Sequence, residues 1–391
     1  MAGARLKFRK PQTTKRGPDT GYYPPVMPFN PPRLLIDARM LDHSGIGIYL
    51  TNVLPGVLRR CTALRPLLLV LPSLMSRARE IAGTLAEVKA WGAVPLSVAE
   101  LMSLRVASPR DLWWSPHFNV PLMSRSALVV TLHDLLPISD AGALVERHKR
   151  LAVRLWLEAV RRRARRVICV SQFTRNEAIR LGGIRSEKTS VAYLGVDAAW
   201  TTATASPDVA TTPYLLFVGL VKPHKNLMGL LRAFEILMPA IPHRLVVVGR
   251  HSGLRDVDRA ALALAHRLGP RVELLENLPQ ARLIKIVANA DLLVQPSFYE
   301  GFGLPPLEAM AAGTPVLAAR AGSLPEICDD AAHYCDPRSP LNIAESIRRI
   351  VGDPSLRRRM SEHGRERARA FTWEACAAAT SEALLAAWSE Q

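Results

Sequence analysis

Two carboxylates with seven residues between them bracket a glycine loop in Phe298-Tyr-Glu300-Gly-Phe-Gly-Leu-Pro-Pro-Leu-Glu308. The apolar run Leu292 to Gln295 leads into the loop, and Pro305-Pro306 then opens a helix. Such a loop brings backbone N–H groups close to a ligand, and a helix N-terminus favours an anion such as a diphosphate. The carboxylates can accept hydrogen bonds from sugar hydroxyls. On spacing alone, Glu308 reads equally as a first-turn acid and Glu300 as a solvated loop residue. A second junction, Gly219-Leu-Val-Lys222-Pro-His224-Lys225-Asn226, places two lysines and a histidine between a strand and a helix. Fixed cations there would stabilise charge developing on a departing phosphate; the plainer reading is an exposed polar loop.

The first half of the chain carries two more candidates. Asp42-His-Ser-Gly45-Ile-Gly47 stands between a strand and a helix, where a glycine loop can approach phosphate, although glycines also serve plain turns. Thr131-Leu-His133-Asp134 puts an imidazole at the carboxyl edge of a buried strand, a place also suited to a structural histidine. Asp256-Val-Asp258 spells a string that can hold a divalent metal, but it opens an Ala/Leu-rich helical stretch and reads as first-turn acids. No metal is assigned.

Alternating apolar runs and helical patterns position these loops. Arg33 to Asp37, Leu128 to Leu132, Val167 to Val170 and Val191 to Leu194 read as strands, with a helix from Ile48 to Leu58 and a basic helix after Leu132. Ala198 to Thr212 is small, polar and aperiodic, which marks a linker. Strands at Tyr214 to Gly219, Arg244 to Gly249, Val272 to Leu275 and Leu292 to Gln295 then alternate with helices. These begin after Asn226 and near Asp256 and Gln280. The expected class is α/β, with two Rossmann-like domains facing a central cleft. The boundaries read as a basic tail at 1–32, a first domain at 33–200, a linker at 201–212 and a second domain at 213–372. A terminal helix at 373–391 closes the chain.

The length of 391 residues calls for more than one domain, and 49% hydrophobic against 22% charged residues suits large buried cores. No apolar run reaches the about 18 residues of a membrane span; Arg65, Pro66 and Pro72 interrupt the strongest stretch, Leu64 to Met75. The proline-rich basic tail lacks the apolar core of a secretory signal. Five scattered cysteines without a C-x-x-C pair suggest reduced thiols and a cytoplasmic protein. The formal charge of +17 is concentrated in part at Arg147 to Arg166, where nine Lys or Arg residues face Glu158. Leu151, Leu155, Trp156 and Val160 recur there at helical spacing. On one account they pack inward and the arginines are merely solvated; on the other the helix docks on an anionic membrane at the inner face. No zinc-finger spacing or aromatic RNA-binding motif accompanies the charge, so no nucleic-acid partner is expected.

Taken together, from about Arg33 onward, these residues resemble a retaining family-four glycosyltransferase of the GT-B fold. Gln295-Pro-Ser297 to Glu308 is the most specific segment. Ala288 to Asp291, Met310 to Pro315, Gly322 to Glu326, Val170-Ser171, Gly195-Val-Asp197, Lys225-Asn226 and Asp37 to Tyr49 are similar to family segments too. The resemblance implies that Glu300 faces the donor sugar, Glu308 the ribose hydroxyls and Lys225 the diphosphate. Backbone amides of Phe302 and Gly303 approach the sugar and diphosphate, His133 lies beside the reacting centre, and Gly45 to Gly47 close over the phosphates. The terminal helix from Trp373 is expected to cross back to the first domain. Many members place an arginine directly after the glycine at Gly219; here Leu220 stands there, and Lys222 or His224 is the candidate replacement.

The resemblance further implies transfer with retention, without a cofactor, from a nucleotide-sugar donor. Around His133 to Pro137 and His224 to Asn226 the chain is similar to bacterial mannosyltransferase-like enzymes of surface polysaccharide assembly. This favours a GDP-mannose donor and a glycan or lipid-linked acceptor. No carboxylate stands out as a nucleophile, so the expected course is front-face attack by the acceptor hydroxyl. A sugar-nucleotide epimerase and a non-catalytic scaffold or basic nucleic-acid or membrane binder are the alternatives.

Overall fold

The computed structural model describes residues 32–43, 45–92, 108, 110–118, 120–121, 126–203, 212–252 and 257–390, with backbone alone at 143, 144, 148 and 149. The tail read at 1–32 (apart from Pro32), most of the linker at 201–212, Ser44, Asp256 and the Lys149 side chain lie outside the described residues.

The first sheet comprises β1 (Leu34–Asp37), β2 (Leu67–Val70), β3 (Glu87–Ala90), β4 (Leu112–Ser115), β5 (Ala127–Leu132), β6 (Ala164–Cys169) and β7 (Thr189–Val191). Their spatial order is β3-β2-β1-β4-β5-β6-β7, with parallel pairing throughout. The second sheet comprises β8 (Tyr214–Val218), β9 (Arg244–Val248), β10 (Val272–Leu275), β11 (Leu292–Gln295), β12 (Val316–Ala319) and β13 (His333–Cys335). It follows the same winding, β10-β9-β8-β11-β12-β13, again all parallel. Helices cover both faces, so β1, β2, β4, β11 and β12 are buried along their whole length and read as unbroken apolar runs. In each sheet the order reverses beside the first strand. That puts switch points between β1 and β4 and between β8 and β11, where open α/β sheets bind ligands.

Several elements differ from the sequence reading. The strand expected at Val191 to Leu194 ends at Val191, because the chain must then slip under the start of the terminal helix. A Cβ on Gly195 would lie 2.1 Å from the Trp373 nitrogen. The basic stretch is not one helix: Arg147–Arg163 is helical, whereas Arg165 and Arg166 belong to β6. On that helix Val153, Leu157 and Val160 pack inward, but Leu151 and Leu155 face solvent at 60% and 65% exposure.

The terminal helix Trp373–Ser389 packs on the helix Ile46–Arg60 of the first domain. Tyr49 Oη lies 3.5 Å from Thr380 Oγ1, Arg60 pairs with Glu374, and the Arg165 guanidinium donates to the Ala387 carbonyl at 3.0 Å. The helices approach so closely that a Cβ on Gly56 would sit 2.5 Å from that of Ala377.

Candidate functional site

Both loops that carry the main candidates leave the second switch point, one after β8 and one after β11. After β8 the chain makes a short turn, Pro223–Lys225, and Asn226 then starts the helix Leu227–Leu237 from a left-handed conformation, φ 57°. The Asn226 side chain accepts from the Gly229 N–H at 3.1 Å and donates to the carbonyls of Pro296 and Pro337 at 2.9 and 2.7 Å. This one residue caps the helix and ties the Lys225 turn to the loop after β11. The Phe298 N–H completes the tie by donating to the His224 carbonyl at 2.8 Å.

Glu300 lies at the centre of the resulting cluster, 7% exposed. Its Oε1 accepts from Ser297 Oγ at 2.8 Å and Gln295 Nε2 at 3.0 Å, and Lys225 Nζ donates to Oε1 and Oε2 at 2.9 and 2.7 Å. Burial alone pushes the Glu300 carboxyl up, but the Lys225 ammonium and the Ser297 hydroxyl outweigh it and hold it below its ordinary range. An ammonium has three N–H donors, so two spent on Glu300 leave one for another anion.

His133 enters from the first domain, at the end of β5. Its ring meets Tyr49 edge-on at 5.0 Å, and Nε2 lies 2.9 Å from the Pro116 carbonyl. A carbonyl only accepts, so the proton sits on Nε2 and Nδ1 keeps its lone pair. Burial lowers the His133 pKa to about 4 against the opposing effect of the Pro116 contact, and nearby His43 lowers it further. The imidazole is therefore neutral at physiological pH. His43 belongs to the Asp42–Gly47 loop, which places that loop near His133. In the same loop Gly45 has φ 82°, and a Cβ on Gly47 would lie 2.3 Å from the Leu41 carbonyl oxygen, so neither position suits another residue.

The glycine loop after β11 ends in the helix Leu304–Ala312, entered through Gly303 at φ 108°. Among the described residues the N–H groups of Phe302 and Gly303 have no hydrogen-bond partner, the condition of donors at a helix start. Phe302 itself is buried, its ring edge-on to Phe371 at 6.0 Å. Glu308 lies in the second turn of this helix, so the first-turn reading of it is incorrect. Burial and the neighbouring Asp197 carboxylate raise its pKa to about 8. Among the described residues no cation pairs with it.

The two candidates for the cation missing at Leu220 lie in this turn. Burial, then Lys225 and Lys222, lower the His224 pKa to about 4 while Glu300 opposes them. Lys222, at the start of the same turn just after Gly219, is near enough to act on both His224 and Asp134. Asp258 is explained otherwise: its side chain caps the helix Arg259–Arg267 by accepting from Ala261 N–H at 3.0 Å.

The structure also draws in residues that sequence reasoning left without a role. Asp134 is half-buried, within electrostatic reach of Lys225, Glu300 and Lys222. Tyr299 Oη accepts from the Leu135 N–H at 3.1 Å, and a Cβ on Gly301 would lie 1.9 Å from the His133 carbonyl oxygen. These contacts press the Glu300 loop against the His133 strand end. The only sequence signal for them was their place beside Glu300 and His133. A cavity of about 900 Å³ opens beyond Tyr299, lined by Phe173, Arg180, Arg320 and Tyr334 among others, but not by Glu300, Lys225 or His133.

Residues 202–367 match the family model described as Glycosyl transferases group 1, and residues 106–200 match Glycosyltransferase Family 4. O-antigen chain mannosyltransferase B of Escherichia coli is 30% identical over 283 residues, 69% of this chain and 72% of that protein. A D-inositol 3-phosphate glycosyltransferase of Corynebacterium glutamicum is 34% identical over 174 residues, 43% of this chain and 42% of that protein. Among solved structures, Anabaena Alr3699/HepE in complex with UDP-glucose is similar with a TM-score of 0.71 at 20% identity, over 90% of this chain and 99% of that one. Two parallel doubly wound sheets and these likenesses define a glycosyltransferase of the GT-B fold. The chain belongs to family four of the glycosyltransferases.

Proposed function

We propose that the protein transfers a hexose, with retention and without a metal, from a nucleotide-sugar donor to a glycan or lipid-linked acceptor in surface polysaccharide assembly. The observation that carries this reading is the Glu300 carboxylate held by Lys225 in a loop whose Gly301 abuts the carbonyl of His133. A carboxylate and an imidazole lone pair both accept hydrogen bonds from sugar hydroxyls, and the third Lys225 N–H is available to a phosphate oxygen. Glu308 would take the ribose hydroxyls. The unpartnered Phe302 and Gly303 amides, with Lys222, Gly219 and the Gly45–Gly47 loop, would surround the diphosphate. The likeness to the O-antigen mannosyltransferase supports mannose as the sugar, and GDP-mannose is the donor we propose.

The acceptor hydroxyl would approach the anomeric carbon on the face that the diphosphate leaves. Its proton would pass to a β-phosphate oxygen as the glycosidic bond to that phosphate breaks. Lys225 and the loop amides would stabilise the charge developing there, where preorganised donors have their largest effect. Glu300 is committed to Lys225, Ser297 and Gln295, which argues against its acting as a nucleophile. The experiment is transfer from GDP-mannose to free and lipid-diphosphate-linked oligosaccharides, with the new linkage read by NMR. An α-product from the α-linked donor is expected, and a β-product would overturn the front-face course.

No helix among the described residues is long and apolar enough to cross a membrane. The basic helix supports a cytoplasmic protein in peripheral contact with an anionic leaflet. Its solvent face combines Leu151 and Leu155 with exposed Arg147, Arg154, Arg161 and Arg162, although Glu158 neutralises part of that charge by pairing with Arg161 and Arg162. The other arginines contribute less to such a surface. Arg150, Arg163 and Arg165 donate to the carbonyls of Pro137, Pro121 and Ala387, and Arg166 pairs with Glu390.

A further inference from the structure

We propose that Glu326 is a positioning residue that seats the first domain on the Glu300 loop and thereby sets the approach of His133 to Glu300. The helix Gln172–Arg180 of the first domain begins at Ser171, whose hydroxyl accepts from the Thr174 N–H at 3.0 Å. Two further N–H donors of that first turn need acceptors. Both are met across the interface by one carboxylate: Gln172 N–H donates to Glu326 Oε1 at 2.6 Å and Phe173 N–H to Oε2 at 2.8 Å. The match of a two-oxygen anion to two parallel donors at a helix start is directional and charge-assisted.

The same helix turn grips the loop of the site. Ser171 Oγ and Thr174 Oγ1 donate to the Gly301 carbonyl at 2.6 and 3.0 Å, next to Glu300, and both residues are fully buried. The segment that carries Glu326 holds that loop from the other side. The Ser323 N–H donates to the Glu300 carbonyl at 3.1 Å, and its hydroxyl to the Phe302 carbonyl at 2.6 Å. Arg367 fixes the segment in turn by donating to the Glu326 carbonyl at 2.7 Å. Glu326 thus closes a ring of contacts that runs from the second domain through the helix start to Gly301 and back. The ring lies where Gly301 abuts the His133 carbonyl. The proposal rests on reading Glu300 and His133 as facing the donor sugar.

The test compares Glu326→Gln and Glu326→Asp with wild type by amide hydrogen exchange, GDP affinity and turnover of GDP-mannose. Glutamine keeps the size but offers one acceptor where two donors converge. In Glu326→Gln the peptide spanning residues 171–176 should exchange at least roughly tenfold faster, while peptides over β8 and β11 keep their protection. GDP affinity should stay within about twofold, and turnover should fall about 10- to 100-fold from misplacement alone. Glu326→Asp should recover part of both losses. Unchanged exchange and turnover in a folded Glu326→Gln would overturn the proposal, as would a turnover loss matched by an equal loss of GDP affinity. If Glu326→Gln does not fold, Thr174→Val, which removes one hydroxyl from the Gly301 carbonyl, carries the same comparison. A wild type that binds no nucleoside diphosphate would sink the donor-site reading, whereas the exchange result would still decide the role of Glu326 between the domains.

Discussion

Replacing Lys225 with methionine should damage stability and turnover through separable causes. The Lys225 and Glu300 side chains are 18% and 8% exposed, with a closest N–O distance of 2.7 Å. Breaking a buried pair by removing one partner costs about 3–5 kcal/mol, because the other charge remains desolvated. A domain's whole stability is of order 5–15 kcal/mol, so the variant should fold but melt early. With the ammonium gone, burial becomes the dominant influence on Glu300 and its carboxyl should take up a proton. Glu300→Gln in the Lys225→Met background should therefore recover much of the loss, giving a coupling of about 3 kcal/mol in a double-mutant cycle from urea denaturation. Turnover should not recover. Loss of one preorganised donor to a developing oxyanion costs about 100- to 1,000-fold in kcat, and the double variant also lacks the Glu300 carboxylate. Lys225→Met with unchanged stability, or with kcat within tenfold of wild type, would refute the argument.

Four further outcomes are expected. Glu308 has its folded pKa raised to about 8, so it favours the folded state below its unfolded value of 4.5 and loses that contribution as pH rises through 8. Glu308→Gln should therefore melt above wild type at pH 8.5 and lose that advantage at pH 5, in thermal scans at the two values. His133 and His224, both lowered to about 4, act in the other sense: stability should decline as pH falls from about 6.5 toward 4. Urea titrations over that range should show the decline diminished in His224→Phe. Activity should survive EDTA; loss on chelation restored by Mn²⁺ would bring Asp256 and Asp258 back as ligands. Anionic liposomes should retain the protein at low salt and release it at high salt, and Leu151→Ser with Leu155→Ser should weaken retention without altering nucleotide binding. Equal retention on neutral vesicles would contradict the electrostatic part of that reading.

The chemistry-bearing loops were legible because each follows a buried strand whose apolar run is unmistakable, as Leu292 to Gln295 is before Glu300. What surrounds them was not. β2 was hidden inside Leu64 to Met75, where Arg65, Pro66 and Pro72 weigh against a membrane span yet bracket a short strand well. β13 is three residues long and leaves no periodic trace. The basic run from Arg147 to Arg166 concealed a helix-to-strand boundary at Ala164, since charge carries no information about period. Long-range partners left still less. Glu308 owes part of its raised pKa to Asp197, far earlier in the chain. Glu326 meets backbone N–H groups 153 and 154 residues away, and a backbone group has no signature in sequence. Only the family-like Val170-Ser171 and Gly322–Glu326 segments marked the two sides of that contact. The lowered pKa of His224 likewise follows from burial that spacing does not show.

The central claim is that Glu300 and Lys225 bind a nucleotide sugar, and titration calorimetry of GDP, GDP-mannose, UDP and UDP-glucose tests it most directly. Wild type should bind one nucleoside diphosphate and hold its sugar conjugate more tightly. Glu300→Gln should bind the bare diphosphate nearly as well and lose the increment due to the hexose, and Lys225→Met should weaken both. Wild-type protein that binds none of the four, or a hexose increment that persists in Glu300→Gln, would contradict the account.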